Sequence, residues 1–282
     1  VSIALPPADA ELAVSAALAA GVPVLAEKPL AASEGAAQRL AQAAQGVANG
    51  VDFQFAELET FSALRDLIAS GELGAVRQVT VFWLTESYAQ RHGQWSWKTD
   101  ADAGGGVMSL LGSHALYLVE WLVGPVATLS AVLDRTTTRG FAPDGANPAP
   151  DTAYLILRAS TGLPVGMSVS NAAPGEAQHR WEIVFDRGRA RAVNVGADYM
   201  AGFRLDVAHH GEDWMTILQE PRTQSDGRLP PFIRLAGRFT RAVRRGERMR
   251  PDFADGARVQ RLLAAAEESD DTGRSVSVAP AY

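Results

Sequence analysis

Apolar and polar positions follow two different rhythms along this chain, and the change falls near Gly74. Before it, short apolar runs are separated by longer segments of helical period. Val1–Leu5 (VSIAL) is apolar almost throughout, which predicts a strand buried on both faces. An Ala-rich helix, ADAELAVSAALAAG, follows and closes at Gly21. VPVLAEKP predicts a second strand, ASEGAAQRLAQAAQG a second helix, VDFQFA a third strand and ETFSALRDLIASGELG a third helix. Strands alternating with helices of this length predict a parallel sheet with crossover helices.

After Gly74 the pattern turns to long alternating runs. VRQVTVFWLTES is one such strand; a polar loop, GQWSWKTDADAGGG, and the apolar helix VMSLLGSHALYLVEWLVG come next. VATLSAVLDRT, DTAYLILRAS, LPVGMSVSNAA and HRWEIVFDRGRARAVNV then predict antiparallel strands, broken by the Pro/Gly-rich loop RGFAPDGANPAP. PPFIRLAGRFTRAVRRGER predicts a Pro-started helix. DFADGARVQRLLAAAEES predicts a last amphipathic helix with Val259, Leu262, Leu263 and Ala266 on one face. The fold class is α/β followed by α+β, with a large, mostly antiparallel β-sheet in the second part.

Composition narrows the function. The 282 residues are 47% hydrophobic and 21% charged with a net charge of −6, a globular balance without the basic domain of a nucleic-acid binder. Cysteine is absent, which excludes disulfides, thiolate catalysis and Cys-ligated zinc and fits a cytoplasmic location. No apolar run reaches membrane-spanning length, so no membrane partner is expected.

Ligands of open parallel sheets sit beyond the carboxyl ends of the strands. Pro6-Pro7 and Glu27-Lys28-Pro29 fall there, and Pro29 restricts the backbone of Lys28. Gly104-Gly105-Gly106 precede a helix, where glycines permit close approach and the first N–H groups are open to an anion. His114 lies mid-helix, on one face with Leu110 and Leu118; a lone histidine there is more often a core residue than a catalyst. Gly112 costs helix propensity, which predicts close packing at that point. The His209-His210 pair is expected in a polar loop, and no metal site is expected.

VSIALPP, AALAAGVPVLAEKPLA, LIASGELGAVRQV, GGGVMSLLGSHALYLVEWLVG and RPDFADGARVQRLLAAAEES, in this order and spacing, resemble the Gfo/Idh/MocA oxidoreductases over nearly the whole chain. The resemblance implies a truncated NAD(P)-binding Rossmann domain over 1–56. It further implies a C-terminal substrate and oligomerisation domain over 57–282, with helix 253–268 packing back on the first. It implies hydride transfer between NAD or NADP and a sugar, cyclitol or related polyol. By the same resemblance Lys28 and His114 are catalytic, while Pro6, Pro7, Glu27, Lys28, Pro29, Trp97 and Lys98 bind cofactor. Tyr88, His92 and Tyr117 are substrate candidates, and a homodimer or homotetramer forms through the C-terminal sheet.

Some positions depart from that pattern. Leu110 and Tyr117 stand where the family often has Asp, Ala10 where it often has His and Ala56 where it often has Arg. Leu110 is expected neither to orient an imidazole nor to accept a proton. The glycine-rich phosphate fingerprint belongs to a strand–helix turn before VSIAL. The expectation is therefore that roughly two βα units, on the order of 60–70 residues, are missing ahead of Val1. A non-redox binding or scaffold protein of the same fold is the alternative.

Overall fold

The computed structural model describes residues 1–222 and 226–278. Strands β1 (Ser2–Ile3), β2 (Val24–Ala26) and β3 (Asn49–Val51) form a three-stranded parallel sheet in the order β1-β2-β3. Helices α1 (Pro7–Ala19) and α2 (Glu34–Ala43) make the crossovers, and α3 (Glu59–Ser70) follows. Each boundary has a local cause. Pro7 starts α1, where a missing N–H costs nothing. The Ser33 hydroxyl accepts from the Ala36 N–H to cap α2, and α3 stops at left-handed Gly71.

Two expectations change here. Among the described residues β1 pairs with β2 alone, and Val1 and Leu5 are exposed, so the two-face burial that the apolar run by itself suggests is not seen. VDFQFA is a strand only at its first residue. Pairing ends at Val51, and Gln54–Glu57 wind into a 3₁₀ turn, so the third strand is Asn49–Val51, ahead of most of the apolar run.

The second sheet has nine strands. It contains β4 (Val76–Glu86), β5 (Val126–Asp134), β6 (Thr152–Ala159), β7 (Pro164–Ser170) and β8 (Ala172–Phe185). Further along come β9 (Gly188–Asn194), β10 (Arg204–His209), β11 (Met215–Gln219) and β12 (Val276–Ser277). Their order is β11-β10-β9-β8-β4-β7-β6-β5-β12, antiparallel throughout except for β4 beside β7. DVAHHGED is therefore largely a strand, not a loop: Asp206–His209 pair with β9, and only the residues beyond turn.

Alternation sorts side chains between the two faces. Trp83, Leu155, Met167 and Trp181 point into the core, whereas Val132, Tyr154 and Ile156 are exposed on the outer face. Short helices α4 (Tyr88–His92) and α6 (Thr136–Arg139) edge the sheet. Helix α5 (Ser113–Val123) packs against its inner face through a side almost wholly buried. Helix α7 (Leu229–Arg245) lays Leu235 and Phe239 against Leu25 of the parallel sheet.

Helix α8 (Phe253–Thr272) is started by Asp252, whose carboxylate accepts from the Ala254 and Asp255 N–H groups. It buries Val259, Leu262, Leu263 and Ala266 as the periodicity predicts, and lies on both α2 and β5. Its Arg258 donates to Glu120 of α5 at 2.7 Å and to the Val126 carbonyl at 2.6 Å. Among the described residues, no helix is long and apolar enough to cross a membrane.

Candidate active site

The carboxyl ends of β2 and β3 carry the charged groups. Ala26 pairs with Val51, and the Asp52 N–H donates to the Ala26 carbonyl at 2.8 Å. Asp52 thus stands beside Glu27, with Lys28 one residue further on. The Lys28 ammonium reaches across to the second sheet's helix and donates to the Leu110 carbonyl at 2.7 Å and the Ser109 carbonyl at 3.5 Å.

Those carbonyls lie in a π-helical stretch, Met108–Gly112, that leads into α5. The Ser113 N–H bonds back to Met108, one residue further than an α-helix requires. Gly112 makes room for this: a Cβ there would lie 2.9 Å from the Met108 sulfur. The wider turn also breaks the expected face, leaving Leu110 half-buried while His114 and Leu118 are buried. Leu110 contributes a hydrogen-bond acceptor to the site through its backbone carbonyl, while its side chain has no group that could take a proton.

His114 is 6% exposed and sits in an aromatic box. Phe55 meets its ring edge-on at 4.9 Å, with Phe53 at 6.1 Å and Trp83 at 6.3 Å. Its Nδ1 has no hydrogen-bond partner. Burial, then the charge of Lys28, then His179 push its pKa well below the usual imidazole range, so the ring is neutral.

His179 and Asp52 are site groups that the sequence pattern left unremarked. His179 stacks on Trp83 at 3.9 Å, and its Nε2 accepts from the Trp181 indole N–H at 2.9 Å. Burial lowers its pKa to about 3. The period-two alternation of HRWEIVF, which puts residue 179 on the face of Trp181 and Ile183, is the signal that could have found it. Asp52 is 3% exposed, and its Oδ1 has no partner. Burial and the neighbouring Glu27 raise its pKa to about 7, against the opposing pull of Lys28. Burial lowers Lys28 to about 8, opposed by Glu27 and Asp52 and helped by Lys98.

The three glycines serve the chain's own backbone. A Cβ on Gly105 would strike the Trp97 carbonyl oxygen, and one on Gly104 would come within 3.1 Å of Pro7 and Ala32. Gly105, Gly106 and Val107 donate their N–H groups to Asp100, Lys98 and Pro150. Those three donors are thus spent on the chain's own carbonyls. What the glycines achieve is to seat Trp97-Lys98 beside the ends of β1 and β2, with the Lys98 ammonium 5.8 Å from the Trp97 ring centre. Pro7 and Pro29 are buried, while Pro6 and Glu27 are half-buried.

Residues 61–191 match the GFO/IDH/MocA C-terminal domain family. That stretch carries the family's pattern, and the rest of the chain shares the fold of its solved dehydrogenases. It is 27% identical over 296 residues to the uncharacterized oxidoreductase sll0816 of Synechocystis, covering 99% of this chain and 78% of that protein. Levoglucosan dehydrogenase in complex with NADH and L-sorbose superimposes with a TM-score of 0.87 at 22% identity, covering 99% of this chain and 79% of that one. GenD2 from gentamicin A biosynthesis, in complex with NAD, gives 0.78 at 25% identity, covering 99% and 78%.

The remaining candidate residues lie further out. Tyr117 stacks on Phe53 at 4.5 Å. Burial raises its pKa, and the charges that act on it are Asp255, Arg250, Arg238 and Arg65, a different set from those around Lys28. Tyr88 and His92 pair on α4 at 4.3 Å, with Tyr88 70% exposed. Ala10 and Ala56 are buried small residues. His209 faces Glu72 at 3.6 Å on the surface.

Proposed function

We propose that this chain is an NAD(P)-dependent oxidoreductase of the sugar-dehydrogenase kind, acting on a sugar, cyclitol or related polyol in the cytoplasm. The observation that carries the reading is the hydrogen bond from the Lys28 ammonium, beyond the carboxyl end of a parallel strand, to the Leu110 carbonyl of the segment that leads into the helix of buried, neutral His114. The names of the relatives support it: a levoglucosan dehydrogenase with NADH, an NAD-bound GenD2 and an oxidoreductase.

The donor set fits a nicotinamide cofactor. His114 Nδ1 and Asp52 Oδ1 are buried without partners, and an ammonium stands between their elements. In this reading residues 1–56 form the cofactor side and 57–282 the substrate and assembly side. Pro6, Pro7, Glu27, Lys28, Pro29, Trp97 and Lys98 would hold the cofactor, which when bound supplies the hydride acceptor or donor. Lys28 polarises the substrate oxygen and stabilises negative charge on it. Neutral His114 takes the hydroxyl proton during oxidation and returns it during reduction. The aromatic box keeps water from that proton transfer. The apolar outer face of the large sheet, with Val132, Tyr154 and Ile156, supports a homodimer or homotetramer.

Titration of the chain with NADH and NADPH, followed by tryptophan emission, tests the cofactor. Saturable quenching is expected; a folded sample that shows none overturns the reading. Lys28→Met and His114→Asn are each expected to lower turnover of a polyol substrate by ~10²–10⁴-fold. Wild-type rates in both variants would remove these two residues from the mechanism.

A further inference from the structure

We infer that Asp52 is a positioning residue of this site: its buried carboxyl group, at the end of β3 opposite the start of the Glu27-Lys28-Pro29 segment, acts together with Glu27 to hold the proton on Lys28. The inference deepens the proposed oxidoreductase reading and rests on it for the role of Lys28.

The geometry behind it is set by the sheet. The Asp52 N–H donates to the Ala26 carbonyl, so its Cα is fixed opposite the start of the Glu27-Lys28-Pro29 segment. Its side chain is buried, and Oδ1 has no hydrogen-bond partner. The Gln54 N–H bonds the carboxyl group and leaves Oδ1 as an open, buried acceptor, which calls for an explanation. Lys28, for its part, is tied to uncharged carbonyls, and none of the ion pairs among the described residues includes it. Its ammonium therefore depends on charges at a slightly longer range.

The charged and titratable groups around the pair come from every neighbouring element. Glu27 precedes Lys28, Lys98 projects from the loop ahead of the glycines, and neutral His114 faces it from α5. Glu57 follows Asp52 and is paired with Arg238 of α7. Of the two carboxylates that favour the charged lysine, Glu27 is half-buried and spends one oxygen on the Lys28 N–H at 3.2 Å. Asp52 is the buried one, with the unspent oxygen, and it titrates in the neutral range where the lysine must switch. Loss of the Asp52 proton favours a proton on Lys28, and gain of it favours release. By linkage the effect is reciprocal.

The test reads Lys28 directly and needs no turnover, so its failure is distinct from failure of the oxidoreductase reading. Amidination or acetylation of the whole chain is followed by peptide mass spectrometry across pH 6–10, giving the midpoint for Lys28. In Asp52→Asn the midpoint is expected to fall by about one pH unit, and labelling of Lys28 at pH 7 to rise several-fold. In Lys28→Met, the Asp52 carboxyl carbon, followed by ¹³C NMR, is expected to titrate at higher pH than in the wild type. Asp52→Glu, which restores the charge, is expected to bring the lysine midpoint back towards the wild-type value. Circular dichroism establishes that each variant is folded, and the Lys28→Met arm carries the test if Asp52→Asn does not fold. Midpoints unchanged in both directions would overturn the inference.

Discussion

Replacing Asp52 by Asn should stabilise the protein, and by an amount that depends on pH. The folded chain holds this carboxyl at about 7 against an ordinary value of 3.8. Between those values the unfolded chain has lost the proton while the folded one keeps it, so stability falls as pH rises through the window. It stays lost above about 7. Each pH unit of the window is worth ~1.4 kcal/mol, which makes the full cost about 4 kcal/mol. Asn keeps the shape and never ionises. Urea unfolding of both proteins should therefore show the variant ahead by about 2 kcal/mol at pH 5 and by about 4 kcal/mol at pH 7.5. Lys28, lowered to about 8, is mostly protonated in both states over most of that range; its own cost is relieved only as pH rises from 8 to 10.5. A variant whose advantage stayed constant with pH, or a wild type more stable at pH 7.5, would refute the account of Asp52 as a destabilised buried acid.

Glu120→Ala leaves the guanidinium of Arg258, whose side chain is 7% exposed, without its carboxylate, and should cost about 3 kcal/mol. Urea midpoints at pH 7 check it, and a loss below about 1 kcal/mol would contradict a buried, structurally necessary pair. Ile156→Asp puts a charge in the middle of the exposed apolar face of the large sheet. Sedimentation velocity should then show a smaller species than wild type at the same concentration. An unchanged sedimentation coefficient would remove that face from the assembly.

Much of the fold was legible because its signals are local. Pro7, Ser33 and Gly71 mark helix ends by their own backbone chemistry, and the three-to-four-residue spacing of Val259, Leu262, Leu263 and Ala266 fixes the buried side of α8. The strands of the large sheet announce themselves by alternation. The failures are cases where distant residues decide. Whether VSIAL is buried depends on what lies beside it, which its own side chains do not encode. VDFQFA is apolar for packing, since Phe53 and Phe55 box in His114, and not because it pairs as a strand.

The site divides in the same way. Lys28 and His114 stood out by motif, but Lys28 is tied to the segment ahead of the His114 helix through a main-chain carbonyl, and no side-chain identity at position 110 reveals that. Asp52 owes its character to burial and to Glu27 across the strand register. Gly104–Gly106 were visible as a motif that permits close approach, and the neighbours that approach are Pro7 and Ala32 at Gly104, the Trp97–Asp100 backbone at Gly105, and Ala149 and Pro150 at Gly106.

Helix α8 and strand β12 have a kinetic consequence. The last helix packs on α2, near the start of the chain, and Val276–Ser277 zip onto the free edge of β5. The central pairing of β4 with β8 also joins segments far apart in sequence. Contacts of such long separation must pay loop-closure entropy before they return anything. On the ribosome, the large sheet cannot gain its β12 strand until Val276–Ser277 have emerged. Until then the uncovered inner strands are surface that a chaperone, or another nascent chain, can occupy.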